Sequence, residues 1–73
     1  MVMTEDEVWD AGDMGCGELV MGLRLRLRDM PGRVLKLVAT DAGAPEDIPA
    51  WCRMTRHELV HAEGPAFWIR ARS

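Results

Sequence analysis

The sequence predicts an α/β (α+β) two-layer sandwich, a mixed four-stranded sheet with two helices on one face, in the order β-α-β-α-β-β. Three observations carry this. Residues 16–30 hold an apolar stripe at helical spacing. Residues 34–39, Val-Leu-Lys-Leu-Val-Ala, form an apolar run rich in β-branched side chains. Two further strand-like segments, 57–62 and 66–71, flank a Gly64-Pro65 hairpin turn. Elements in this order pack as layers, because each helix and sheet must bury one apolar face.

The first strand is predicted over Glu7-Val8-Trp9-Asp10-Ala11, where polar and apolar residues alternate. Residues 1–6 precede it as a frayed acidic end, and residues 7–73 form one domain. The stretch from Leu23 to Arg28 alternates with period two, which alone would read as a strand. A wider window decides otherwise. Cys16, Leu19, Val20, Leu23, Leu27 and Met30 share one helical stripe, none of the Leu, Arg and Met residues there is β-branched, and Pro31-Gly32 is a suitable stop. A helix over about 17–29 follows, with Leu25 off the stripe and facing solvent. A second helix is predicted over 45–55, led in by Asp41 or by Ala42-Gly43-Ala44. Pro45 suits a first helical position, and Pro49 is expected within the first turn or so, since deeper in it would break the ladder. Ile48, Trp51, Cys52 and Thr55 then share a face.

Seventy-three residues allow one modest core, and chains of this size bury only about 60% of their unfolded surface. Apolar content of 48% and charged content of 29% describe a folded soluble domain. No apolar run approaches the ~20 residues that span a bilayer, and the acidic start MVMTEDEV lacks the features of a signal peptide. A cytoplasmic protein, without membrane insertion, is the expectation. The net charge of −3 argues against a general nucleic-acid binder, because such affinity comes from neutralised phosphates. Charge is uneven, however. Four acids lie in the first ten residues, Arg24, Arg26, Arg28 and Arg33 cluster, and Arg70 and Arg72 lie near the end.

Two cysteines are too few for a disulfide scaffold, and a reducing compartment keeps them as thiols. Cys16 stands at the entrance of the first helix, between Gly15 and Gly17. There, unpaired backbone N–H groups and the helix dipole favour a thiolate, which is the nucleophilic form. Gly15 and Gly17 leave room for a partner to approach. Gly17 also offers one more N–H, while loosening the helix start. Glu18 is a first-turn acid that suits the dipole and slightly opposes a neighbouring thiolate. Cys52, beside Trp51 on the inner helix face, reads as a small apolar core residue, and no Cys16–Cys52 disulfide is expected.

Cys52, His57 and His61 do not make a metal site, because a strand sets the histidines two pleats apart and zinc needs further ligands. Phe67 and Trp68 are neighbours on a strand and must face opposite ways; core is the preferred reading for either, with a contact surface the alternative for one of them. Arg24 and Arg28, one turn apart, form a solvated helix face or a patch suited to an acidic partner, or to tRNA within a larger complex. Ser73, the only serine, rules out a serine triad.

Two stretches resemble the small TusA/SirA-like sulfur carriers. Trp9-Asp10-Ala11 followed by Cys16 resembles that family's approach to its first helix. Asp41, then Asp47-Ile48-Pro49-Ala50-Trp51-Cys52 and His57-Glu58-Leu59, resembles its second helix and third strand. The likeness spans roughly residues 7–72. The family's working motif is Cys-Pro-x-Pro; here it reads Cys16-Gly17-Glu18-Leu19, without either proline.

The resemblance implies a β-α-β-α-β-β fold and a persulfide carried transiently on Cys16, with no resident cofactor. It implies a sulfur donor protein (a cysteine desulfurase or rhodanese) or a sulfur-compound transporter, and a downstream acceptor. A monomer with no direct nucleic-acid contact is expected, acting as a sulfurtransferase-like courier rather than a stand-alone enzyme. The alternative is a non-catalytic module of this fold that binds a transporter or desulfurase. A third reading is a structural or regulatory domain acting through the arginine face.

Overall fold

The computed structural model describes residues 4–73, apart from the side chain of Cys16. The chain runs β1 (Glu7–Gly12), α1 (Cys16–Arg28), β2 (Val34–Ala39), α2 (Ala44–Thr55), β3 (Glu58–Glu63) and β4 (Ala66–Arg70). This is the expected order, with ends displaced by a residue or so. The four strands form one mixed sheet in the order β1-β2-β4-β3. β1 pairs parallel with β2, while β4 runs antiparallel to both β2 and β3. The one parallel pair among the described residues, β1–β2, is bridged by α1, as parallel pairing requires. Glu63 faces Ala66 across the Gly64-Pro65 turn, closing the β3–β4 hairpin.

The α1 stripe explains why residues 23–28 are helical despite their period-two pattern. Leu19, Leu23, Leu27 and Met30 are all buried on the sheet side, and burial of each such side chain is worth about 1.5–3 kcal/mol. Leu25 is the exception that the stripe predicts, at 47% exposure. Facing α1 are Leu35, Leu37 and Ala39 of β2 and Phe67 and Ile69 of β4, with Ala44, Ile48 and Cys52 of α2 completing the core. After α1, Gly32 takes φ 76°, a left-handed turn that glycine enters without penalty. Its N–H donates to the Ala71 carbonyl at 2.9 Å, tying the helix exit to the end of β4.

Two local expectations, on Pro49 and on the acidic end, are corrected. Pro49 stands well inside α2 rather than in its first turn. The helix absorbs it with one missing ladder bond, at the Pro45 carbonyl. Phe67 and Trp68 face opposite ways as expected, and both take the core reading, at 3% and 8% exposure. Trp68 lies on the open face of the sheet beside Val34, Ala66 and Val60. Lys36 (5.3 Å) and His61 (5.2 Å) lie against its ring, and its indole N–H donates to Glu5 Oε1 at 3.0 Å. The acidic end is in part held down. Residues 1–3 of the expected frayed segment lie outside the described residues, but Asp6 extends the β1–β2 ladder. Its N–H donates to the Val34 carbonyl, and its Oδ2 accepts from the Val34 N–H, both at 2.8 Å.

Among the described residues, no helix is long and apolar enough to cross a membrane.

Candidate functional site at the start of α1

The turn between β1 and α1 is built by backbone geometry. Gly12 adopts φ 58°, its N–H donates to Asp10 Oδ1 at 3.0 Å, and its carbonyl accepts from the Thr40 N–H at 2.8 Å. The Met14 N–H donates to the Ala11 carbonyl at 3.2 Å. Gly15 is then the N-cap, in extended conformation, and contributes no side-chain hydrogen bond. Most helix starts use Ser, Thr, Asp or Asn there to satisfy an orphan N–H. Here no cap side chain fills that role, so the first-turn N–H groups point toward whatever approaches the helix start.

Cys16 is the first residue of α1, and its side chain lies outside the described residues. Gly17 and Glu18 follow it, both exposed. A Cβ added at Gly15 or Gly17 would meet nothing within 4 Å, so neither glycine is required by crowding. Leu19 has a clear structural reason. Its N–H donates to the Gly15 carbonyl at 2.9 Å, the first rung of the helix, and its side chain is 1% exposed. A proline at 19 could make neither contribution.

Beside this helix start lies an open cleft of about 540 Å³, lined by Trp9, Met14, Gly17, Glu18, Met21, Gly22 and Arg26. Sequence reasoning missed it, placing Trp9 on the first strand with no partner across the layer. The Trp9 indole lies directly over Gly22, where even one Cβ would collide with the ring. One turn on, the Arg26 guanidinium caps the other part of the ring at 3.9 Å from its centroid, a cation–π contact. Met21, at 57% exposure, forms an apolar rim. The available signal was Gly22 itself, since a glycine in a helix interior costs about 0.5–1 kcal/mol relative to alanine and needs a packing reason.

The other cysteine sits elsewhere. Cys52 is buried at 1% exposure, and burial pushes its thiol up to about 11, against a smaller opposing pull from Arg53. At neutral pH it is a protonated core side chain, as its apolar setting suggested. Arg24 and Arg28 do not join the Cys16 end. They lie two and three turns further along α1, about 12 and 18 Å down the axis at 1.5 Å per residue, near His57 and Arg72.

Comparison with known proteins gives the decisive observation. The sequence model of the family described as "Sulfurtransferase TusA" matches residues 7–72. The chain belongs to the TusA family. Among TusA relatives, the "Sulfur carrier protein TusA" of Pseudomonas aeruginosa (strain LESB58) is 38% identical over 78 residues, covering 100% of this chain and 99% of the relative. The protein of the same name from Pseudomonas syringae pv. tomato (strain ATCC BAA-871 / DC3000) is 43% identical, covering 97% and 90%. That from Pseudomonas savastanoi pv. phaseolicola (strain 1448A / Race 6) is 44% identical, covering 93% and 87%. TusA membership agrees with the β-α-β-α-β-β order, and it directs attention to the α1 end of the molecule.

Proposed function

We propose that this protein is a sulfur carrier that relays persulfide sulfur on Cys16 between protein partners. The observation that carries the reading is the place of Cys16 at the first position of α1, behind a glycine N-cap that brings no competing side chain. Of the two cysteines in the chain, Cys52 is buried and held as a thiol, which leaves Cys16 to do chemistry. Membership of a family whose relatives are named sulfur carriers supports the role.

In the loading step, the Cys16 thiolate attacks the terminal sulfur of a donor persulfide. A new S–S bond forms to Cys16, the donor S–S bond breaks, and the donor cysteine leaves as a thiolate. In the unloading step, an acceptor thiolate attacks the same terminal sulfur, and Cys16 is released as a thiolate. No net oxidation occurs in either step. The N–H groups of Gly17 and Glu18 and the α1 dipole favour the anion. Gly15 and Gly17 keep the approach open. The partners in this reading are a donor (a cysteine desulfurase or rhodanese, or a sulfur-compound transporter) and an acceptor protein. It works in the cytoplasm, where thiols stay reduced.

Intact-mass measurement tests this after incubation with a cysteine desulfurase and cysteine, or with rhodanese and thiosulfate. A mass gain of one sulfur atom, kept in Cys52→Ala and absent in Cys16→Ala, is expected. No gain with any donor overturns it. One observation favours a second reading, a TusA-fold module that binds such partners without carrying sulfur. Both family prolines are absent, and Leu19 is instead given over to core packing and the first helical rung.

A further inference from the structure

We propose that the arginine-walled groove between the C-terminal turns of α1 and α2 is a docking site for an acidic segment of a protein partner. It is made of two adjoining hollows of about 280 and 390 Å³, which share Arg24, His57 and Arg72. Arg28 closes one side, and Arg56 and Met54 the other. No Asp or Glu lines either hollow.

The charges are unspent. Among the described residues, Arg24, Arg56 and Arg72 make no ion pair, and Arg28 reaches only the exposed Asp29 at 3.8 Å. Glu58 lines a neighbouring hollow together with Arg56 and Arg72, and there it is engaged with Arg70 at 3.2 Å. Helix dipoles account for cations in the last turns of α1 and α2. They do not account for Arg72, which follows β4, nor for the backbone of Arg56.

Arg56 is the second observation. It ends α2 in the left-handed conformation, at φ 66° and ψ 21°. This position favours glycine, and a residue with a Cβ pays about 1–2 kcal/mol there. An arginine in a strained position beside Arg24 and Arg72 is accounted for by a binding site and not by fold stability.

The occupant follows from chemistry. Guanidinium forks match carboxylates in paired hydrogen bonds. Met54, at 77% exposure, adds an apolar contact for a side-chain stem. A single-stranded nucleic acid would need free aromatic faces for base stacking, but Trp51 packs partly on the core and stacks on His57 with 5.3 Å between centroids. A nucleic acid would also extend beyond the patch, over a protein with net charge −3. A short acidic segment fits within it.

The assignment goes beyond the sulfur-carrier reading and does not depend on it. If Cys16 does carry sulfur, docking about 12–18 Å along α1 leaves the thiol end open, and raises its effective concentration at the partner.

The test uses the whole protein and three labelled probes: octaglutamate, octaglutamine and a single-stranded oligouridine. Fluorescence anisotropy gives affinities, and amide and arginine side-chain NMR shifts give the place. Octaglutamate is expected to bind, to weaken as salt rises, and to shift Arg24, Arg28, Arg56, His57 and Arg72. Arg56→Gly and Arg72→Gln are each expected to weaken it about threefold to fivefold, the size of one screened ion pair. Arg56→Gly should leave the melting temperature unchanged or raised, so its loss of binding cannot be ascribed to unfolding. Cys16→Ala should bind as the native protein does, which separates this result from any failure of sulfur loading. Equal binding of octaglutamine, shifts centred elsewhere, or full affinity in Arg56→Gly overturns the proposal. Tighter binding of oligouridine at the same arginines also overturns it, and assigns the groove to nucleic acid.

Discussion

Gly22 lies so close beneath the indole of Trp9 that no methyl group fits between them. Strand β1 and helix α1 are locked at this point, and Arg26 closes over the ring from one turn further on. The cleft beside the helix start takes its shape from this contact.

Gly22→Ala therefore sets two effects against each other. Helix propensity alone would favour alanine by about 1 kcal/mol. Overpacking costs about 1–3 kcal/mol, because the added methyl would drive into the Trp9 ring and the ring must give up its packing on α1 to make room. A net loss of stability in urea unfolding is expected, together with a change in tryptophan emission as Trp9 is displaced. A variant more stable than the native protein would refute the packing account.

The proline positions of the family motif make opposite predictions. Gly17→Pro places proline in the first turn, where its missing N–H was unpaired and space is free. It should stabilise by about 0.4–1 kcal/mol by restricting the unfolded chain. Leu19→Pro removes the bond to Gly15 and a buried side chain, and should cost about 3 kcal/mol or more. Thermal unfolding distinguishes them. Sulfur loading of Gly17→Pro then measures the balance between a stiffer approach to Cys16 and the loss of the Gly17 N–H that favours its anion.

Cys52 predicts an alkaline weakness. Its pKa is raised from 9.0 to about 11 on folding, so the folded state holds its proton more tightly than the unfolded state. The stabilising contribution is complete below pH about 9 and is lost as pH rises through about 11. Unfolding free energies of the native protein and of Cys52→Ala, compared between pH 8 and pH 11, should converge at the high end. In the native protein, brief iodoacetamide treatment at neutral pH should spare Cys52 and modify it only after denaturation.

His57 predicts the opposite slope on the acid side. Burial, with the charge of Arg72 second, lowers its pKa from 6.5. Its Nδ1 accepts the Arg72 backbone N–H at 3.0 Å, which only an unprotonated Nδ1 can do. The unfolded chain thus binds this proton more readily. The contribution is complete above pH 6.5 and is lost as pH falls through the folded value. His57→Gln should flatten that part of the melting-temperature profile while leaving the alkaline limb intact.

Much of this was legible in the residues. The α1 stripe, the β2 run and the hairpin segments each bury one side, so their periodicities report the layers directly. Cys52 was legible for the same reason, as a small residue on an inward face. Three kinds of feature were not. Pro49 depended on how much ladder loss α2 tolerates. Trp68 depended on partners brought from Glu5, Lys36 and His61, remote in sequence. The cleft depended on Trp9 and Gly22 meeting across two elements, and the groove on Arg24, Arg56 and Arg72 converging from three. Spacing along one element carries no trace of such meetings.

The carboxylate of Asp6 accepts from the same Val34 whose carbonyl receives the Asp6 N–H. This one side chain makes the two strands tell one alignment from the next. If β1 slid along β2 by a single residue, Trp9 and Ala11 would turn to the open face and Val8 and Asp10 would point at the helices. A clasp at the very start of the strand penalises that error, so an acid in the leading segment helps set which side of the sheet the tryptophan ends on.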